Sequence, residues 1–342
     1  MRVTRESLIR IAKETAHERA YNNRDILAAY LTGSLVSNLE PMLGGATDVD
    51  IVLVHASKPG IAREIFKLTP DFHLDISHRA KSDFKSAREL RTDPLLGYEM
   101  YDPLLLFERE KFFEFVQAGL RAGFEFNSPA LVLRRSRRLL TEARKGWIDL
   151  MDIGNEKAGP TQVRQILRVI NHAANSVAEI SGAPLSERRL LLDFPERAKA
   201  AERPNFIADI FNLLGVRNID ASTLINWLDN WKLAFLAASE SEKADIRIRA
   251  ARLNYYEKGM QALLEGETPL TALWPLIHTW TLCAAVLPAS ASTSWKEACQ
   301  QLGLLGPGFE ERVLALDHHL DEIEVRLDEI ASLNGLETST SL

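Results

Sequence analysis

The sequence predicts an α+β fold, in which a small mixed sheet with its helices is followed by an all-helical region. Three observations predict it. Between residues 26 and 78 lie three short runs rich in Leu, Ile and Val (ILAAYLTGS, DVDIVLVH and DFHLDISH), as buried strands are. After residue 127 strand signals fade and long helical patterns follow one another, broken at Gly159-Pro160, Gly182-Ala183-Pro184, Gly215 and Gly306-Pro307-Gly308. The 342 residues suffice for two domains or more, and the patterns divide them into 1–126, 127–216 and 217–342.

Residues 4–20 read as an amphipathic helix capped by Thr4, with Leu8, Ile9, Ile11 and Ala12 towards a core. The first apolar run ends at Gly33-Ser34 and turns into a short helix over 35–39; Gly44-Gly45 then breaks the spacer before Asp48. The pattern predicts a crossover helix over 62–68, a last strand over 98–107 bent at Pro103, and a closing helix over 110–122. Further helices are expected over 129–152, 161–181, 186–201, 205–214, 221–238, 242–265, 269–287, 294–302 and 309–333. That is more helix than one four-helix bundle needs, so two helical layers are expected.

Composition excludes little but weights much. The chain is 46% apolar and 26% charged, ordinary for a soluble globular protein. Its 41 Lys and Arg against 47 Asp and Glu leave a net charge of −6, which weighs against a polynucleotide partner. Cys283 and Cys299 have no ligand-type spacing and fit a reducing compartment. The first twenty residues mix charge with apolar residues at helical spacing, so no signal peptide is expected and a cytoplasmic location is. The most apolar window, 272–287, carries Pro275, His278 and threonines and is too short to span a bilayer; a buried core helix is expected, and no membrane partner.

The strand runs carry the chemistry. In an extended strand Asp48 and Asp50 point the same way, while Val49 and Ile51 point the other. Two like charges on one buried face are costly unless a cation sits between them, and hard oxygen ligands at this spacing suit Mg²⁺. On the third run His73, Asp75 and Ser77 share a face opposite Phe72, Leu74 and Ile76. A neighbouring strand would bring Asp75 beside the pair and complete a site for two metals. Gly33 allows close approach of a phosphate to the backbone, and the Ser34 hydroxyl is suited to a terminal phosphate oxygen.

Thr32-Gly33-Ser34, Asp48-Val49-Asp50-Ile51 and the later Asp75 together resemble the nucleotidyltransferase superfamily of the DNA polymerase beta type. The resemblance covers roughly residues 26–107. The layout with a helical region is similar to the kanamycin-type antibiotic nucleotidyltransferases. The resemblance implies transfer of a nucleoside monophosphate from a nucleoside triphosphate to an acceptor hydroxyl, a small molecule being favoured, with release of pyrophosphate. It implies Asp48, Asp50 and Asp75 as the catalytic and Mg²⁺-binding carboxylates, Asp75 helping with a second metal or deprotonating the acceptor. Gly33, Ser34 and Ser37 are expected on the nucleotide. The chain departs from the family at Leu35-Val36-Ser37-Asn38, where a basic residue is common and none occurs. Two rivals are a protein side chain as acceptor, as in antitoxin-like pairs, and a catalytically silent nucleotide-binding module.

Three further patterns each have a plain structural alternative. Arg134, Arg135, Arg137, Arg138, Arg144 and Lys145 either reach a triphosphate or form a solvated face, the second favoured. Arg164, Arg168, Asn171 and Asn175 form one helical stripe beside an apolar face. The stripe is expected to line a cleft, the arginines on nucleotide and the asparagines on substrate, or else to bond between helices. His318-His319 is set aside as a metal pair, because adjacent helical residues point about 100° apart. The apolar stripe from Leu316 to Ile330 packs on its own bundle in preference to a dimer seam, and the oligomeric state stays open.

Overall fold

The computed structural model describes residues 3–36, 42–124, 128–151 and 153–338. The chain forms two compact units: Met1–Phe124 with Glu257–Gly259, and Glu125–Tyr256 with Met260–Leu342. The α+β class is as expected from the sequence.

In the first unit, helix α1 (Arg5–Asn22) starts on a capping box in which Thr4 Oγ1 accepts from Ser7 N. It buries Leu8, Ala12, Ala16 and Ala20, a stripe at four-residue intervals. Strands β1 (Ile26–Thr32), β2 (Thr47–His55), β3 (Arg63–Lys67) and β4 (Phe72–Ala80) follow. After short helices α2 (Ala87–Arg91) and α3 (Leu96–Tyr101) come β5 (Leu104–Glu108) and α4 (Phe112–Arg121). The sheet order is β3-β4-β2-β1-β5; β2 and β4 run parallel, and the other neighbours are antiparallel. Alternation splits the strand residues between two cores. Leu31, Val49, Ile51, Leu74 and Ile76 join α1 on one face, while Tyr30, Val52 and Val54 pack with Met100, Phe113 and Leu120 on the other. Each such buried side chain contributes about 1.5–3 kcal/mol.

Two expectations are corrected here. Residues 63–67 are a strand where a crossover helix was expected. Arg63 to Lys67 pair antiparallel with Ser77 to His73, so β4 supplies the partner that a five-residue segment needs to hold an extended form. Its charged ends suit an edge strand. The last strand is shorter than expected because residues 96–101 form a helix. Asp93 Oδ1 accepts from the N–H groups of Leu95 and Leu96 at its start, and Pro103 stops it before β5.

The second unit is helical. Its helices are α5 (Pro129–Met151), α6 (Pro160–Ala178), α7 (Leu190–Ala200), α8 (Asn205–Leu213) and α9 (Ala221–Ser239). After α10 (Leu253–Leu264), which contributes residues to both units, come α11 (Leu273–Ala284), α12 (Thr293–Gln301) and α13 (Gly308–Leu333). The single helix expected over 242–265 begins only at Leu253. Short 3₁₀ turns precede it, the first capped by Asp245 accepting from Arg247 N. The apolar window is the buried helix α11, and among the described residues no helix is long and apolar enough to cross a membrane.

Candidate metal centre

The candidate site lies on one face of the sheet, where β1 ends and β2 and β4 begin. Parallel pairing sets Asp48 opposite His73 and Asp50 opposite Asp75, while β1 sets Thr32 opposite Asp50. In-register neighbours point to the same side, so both aspartates of β2 share a face with His73 and Asp75. Asp48, His73 and Asp75 are buried, and each offers a ligand atom within 4.8 Å of the others. Two carboxylates and an imidazole form a donor set that fits a divalent cation.

Asp75 is 2% exposed, and its charge is met by Arg63, whose Nε donates to Oδ1 and Nη2 to Oδ2, each at 2.5 Å. Arg63 lies opposite Ser77 on β3, one diagonal step from Asp75 on the same face. A bidentate guanidinium fixes the carboxylate in orientation as well as charge.

Asp50 is half-buried and packs on Gly33. A Cβ at Gly33 would lie 2.1 Å from Asp50 Oδ2, and the residue has φ +73. Only glycine meets both demands without strain. The space over Gly33 thus receives the Asp50 carboxylate, whereas sequence reasoning assigned it to a phosphate. Gly33–Leu35 is a single 3₁₀ turn, and Ser34 Oγ lies 3.2 Å from Thr47 Oγ1 in a hydroxyl–hydroxyl bond. Most of the helix expected over 35–39, with Ser37, lies outside the described residues.

Further along the strands the same face carries a part-buried network. Tyr30 Oη donates to Glu99 Oε1 at 2.6 Å, and Arg79 grips both Glu99 oxygens at 3.1 and 2.6 Å. Burial, with Glu99 beside it, pushes the Tyr30 hydroxyl well above its ordinary range, so it stays a proton donor. These bonds anchor β1 and β4 to α3.

The helical residues singled out from sequence occupy their own surroundings in the second unit. Arg164 and Arg168 are exposed, and Arg164 pairs with Asp245 at 3.1 Å. Asn171 is half-buried. Asn175 is 6% exposed, which corrects the expectation of a partly open stripe at that position. Its amide nitrogen donates to Asn171 O and Oδ1, and its oxygen accepts from Leu185 N at 2.6 Å. In the basic run Arg135 is buried against Glu179, Arg137 bonds Asp328, and Arg144 meets Asp317 and Asp321. For these three the structural alternative holds.

Sequence reasoning did not single out Arg63, Thr47 or, as a ligand, His73. The alternation on β4 had already put His73 on the right face. Arg63 was hidden because its segment was read as a helix.

No protein-family model matches this chain, and no curated protein matches it in sequence. Among solved structures the chain is similar to a nucleotidyltransferase-like protein from Exiguobacterium sibiricum 255-15, at 12% identity over 96% of this chain and 92% of that one. The TM-score is 0.27, a level at which the likeness does not establish a shared fold.

Proposed function

We propose that this protein is a divalent-cation-dependent nucleotidyltransferase, resembling the DNA polymerase beta superfamily, that moves a nucleoside monophosphate to an acceptor hydroxyl. The observation that carries this reading is the convergence of three separated sequence elements at one end of the sheet. Gly33 lies against Asp50, Asp50 pairs with Asp75, and Asp48 pairs with His73.

In the reaction a bond forms between the acceptor oxygen and the α-phosphorus. The bond from that phosphorus to the bridging oxygen breaks, and its electron pair leaves with pyrophosphate. Asp48, His73 and Asp75 would hold the cation, with Asp50 beside them. When bound, Mg²⁺, singly or as a pair, supplies neutralisation of the phosphate charge. Arg63 bonds both oxygens of Asp75 and so orients it beside the cation, and the half-buried Asp50 is assigned to take the acceptor's proton. Ser34, with Gly33 before it and Ser37 beyond, is assigned to the triphosphate. Arg164 and Arg168, both exposed, are assigned to nucleotide as well, and Asn171 and Asn175 to substrate, Asn175 acting from a buried position that braces Asn171. Positioning and charge neutralisation carry most such catalysis.

Pyrophosphate release from each nucleoside triphosphate with Mg²⁺ and candidate hydroxyl acceptors, small molecules first and protein partners second, tests the reading. Release that requires both cation and acceptor is expected. The Arg63–Asp75 pair favours a second reading, a nucleotide-binding module that does not turn over, because a cationic side chain already balances one of the carboxylates. Calorimetric binding of triphosphate with Mg²⁺, without pyrophosphate release under any acceptor, would select that second reading. Absence of both binding and release would sink both.

A further inference from the structure

We propose that Asp209, His319 and Glu322 form a second divalent-metal site in the helical unit, of a kind suited to Zn²⁺. It is separate in residues from the strand site and does not rest on the proposed transferase activity.

The ligands come from two helices. His319 and Glu322 lie three apart on α13 and so share one face, and Asp209 comes from α8. Their ligand atoms lie within 4.8 Å of one another. The second observation is His319 itself. It is 3% exposed, and neither ring nitrogen has a hydrogen-bond partner among the described residues. A buried imidazole left unbonded at both nitrogens is costly, and its only described ring contact is a T-shaped one with Phe206. A metal ion would satisfy the nitrogen that faces the two carboxylates.

The electrostatics agree with this geometry. Asp209 and Glu322 bring two carboxylates to the buried imidazole, a charge that a divalent cation would balance. Their described partners are weak: Asn205 lies 3.5 Å from Asp209, and the exposed His318 lies 3.4 Å from Glu322.

One imidazole with two carboxylates is a donor set that Zn²⁺ accepts; the strand site has the same three ligand types, with Asp50 beside them as a further carboxylate. Three protein ligands leave a tetrahedral ion one position for water or an anion. A cleft of about 610 Å³ lined by Phe206, His318 and Glu322 among others lies beside the cluster, with Glu322 as the ligand residue they share. The adjacent histidines do point apart, as their spacing requires, and the site uses only the buried one.

The test uses the full chain stripped with a chelator and then titrated with Zn²⁺ by calorimetry and with Co²⁺ by visible absorption. Glu322→Gln and Asp209→Asn keep side-chain size, and each should lose one equivalent of Zn²⁺ or bind it at least tenfold more weakly. The tetrahedral Co²⁺ bands and the rise in Tm caused by Zn²⁺ should fall in parallel. Asp48→Asn should retain that equivalent, which separates this site from the strand site. If Glu322→Gln fails to fold, Asp209→Asn is read alone. Wild-type stoichiometry and affinity in the folded amide variants, or loss of all Zn²⁺ binding in Asp48→Asn, would overturn the proposal.

Discussion

The sheet end and the helical bundle treat charge in opposite ways. Around β2 and β4, Asp48, Asp50 and Asp75 gather on one face, and Arg63 is the cation described against Asp75. In the bundle, Arg135 is matched with Glu179, Arg137 with Asp328, and Arg144 with Asp317 and Asp321. Pairing off is what a fold does to carry charge at low cost. Gathering like charges raises the energy of the fold and therefore asks for a ligand. The sequence already favoured a plain structural role for the arginine-rich helix, and Arg135, Arg137 and Arg144 on it do serve architecture.

The widest break of that contrast is at Asp48. Asp48→Asn, or Asp50→Asn, should lower pyrophosphate release at least about a hundredfold while the Tm stays level or rises slightly. The sign on stability follows because neutralising one carboxylate relieves repulsion in the metal-free protein. Near-wild-type turnover in either variant would return these residues to plain strand-end charges.

The buried pair in the bundle should respond in the opposite sense. Arg135 and Glu179 are both fully buried, so Arg135→Met strands a carboxylate in the interior and should cost about 3–5 kcal/mol in urea unfolding. Adding Glu179→Gln should restore most of the loss. If Arg135→Met were neutral for stability yet weakened triphosphate binding, the arginine-rich helix would have to be moved to the functional side of the comparison.

A smaller effect is expected at Asp245, the carboxylate that Arg247 and Arg164 share. Burial raises this carboxyl, but bonds and charge from Arg247, with Arg164 beyond it, prevail and hold it down to about 2. An unfolded aspartate titrates near 3.9. The pair therefore stabilises fully above that value, and the contribution is lost as pH falls towards 2. Over this window Asp245→Asn should flatten the acid side of the stability curve by about 2 kcal/mol. An unchanged acid limb would show that the pair carries little.

Legibility followed the same divide. Period and capping were readable wherever one segment decides its own form: Thr4 before α1, the carboxylate face of β2, the helices after residue 127. Residues 63–67 were not, because their form is set by pairing with β4, a neighbour distant in the reading though close in sequence. The same is true of partners. Alternation placed His73 and Asp75 on one face, but only the register reveals that His73 meets Asp48. Arg63 became visible only with the strand that carries it. In the bundle, a polar stripe on α6 does not disclose that Asn175 turns inward to hold Leu185 N.

Ser34 gives the smallest effect and the finest distinction. Its hydroxyl bonds Thr47 in the ligand-free protein, so Ser34→Ala should cost about 0.5–1.5 kcal/mol of stability whatever the function. A turn residue with no ligand would show that loss and nothing more. If the hydroxyl exchanges Thr47 for a phosphate oxygen, the variant loses one bond in each state. Bonds to charged groups are worth about 1.5–3 kcal/mol against roughly 1 for neutral ones. The difference should weaken triphosphate binding roughly tenfold in Mg²⁺-containing calorimetry while leaving any acceptor affinity unchanged. Equal affinity in wild type and variant, with the stability loss present, would reduce Gly33-Ser34 to a turn whose glycine makes room for Asp50 and whose serine ties β1 to β2.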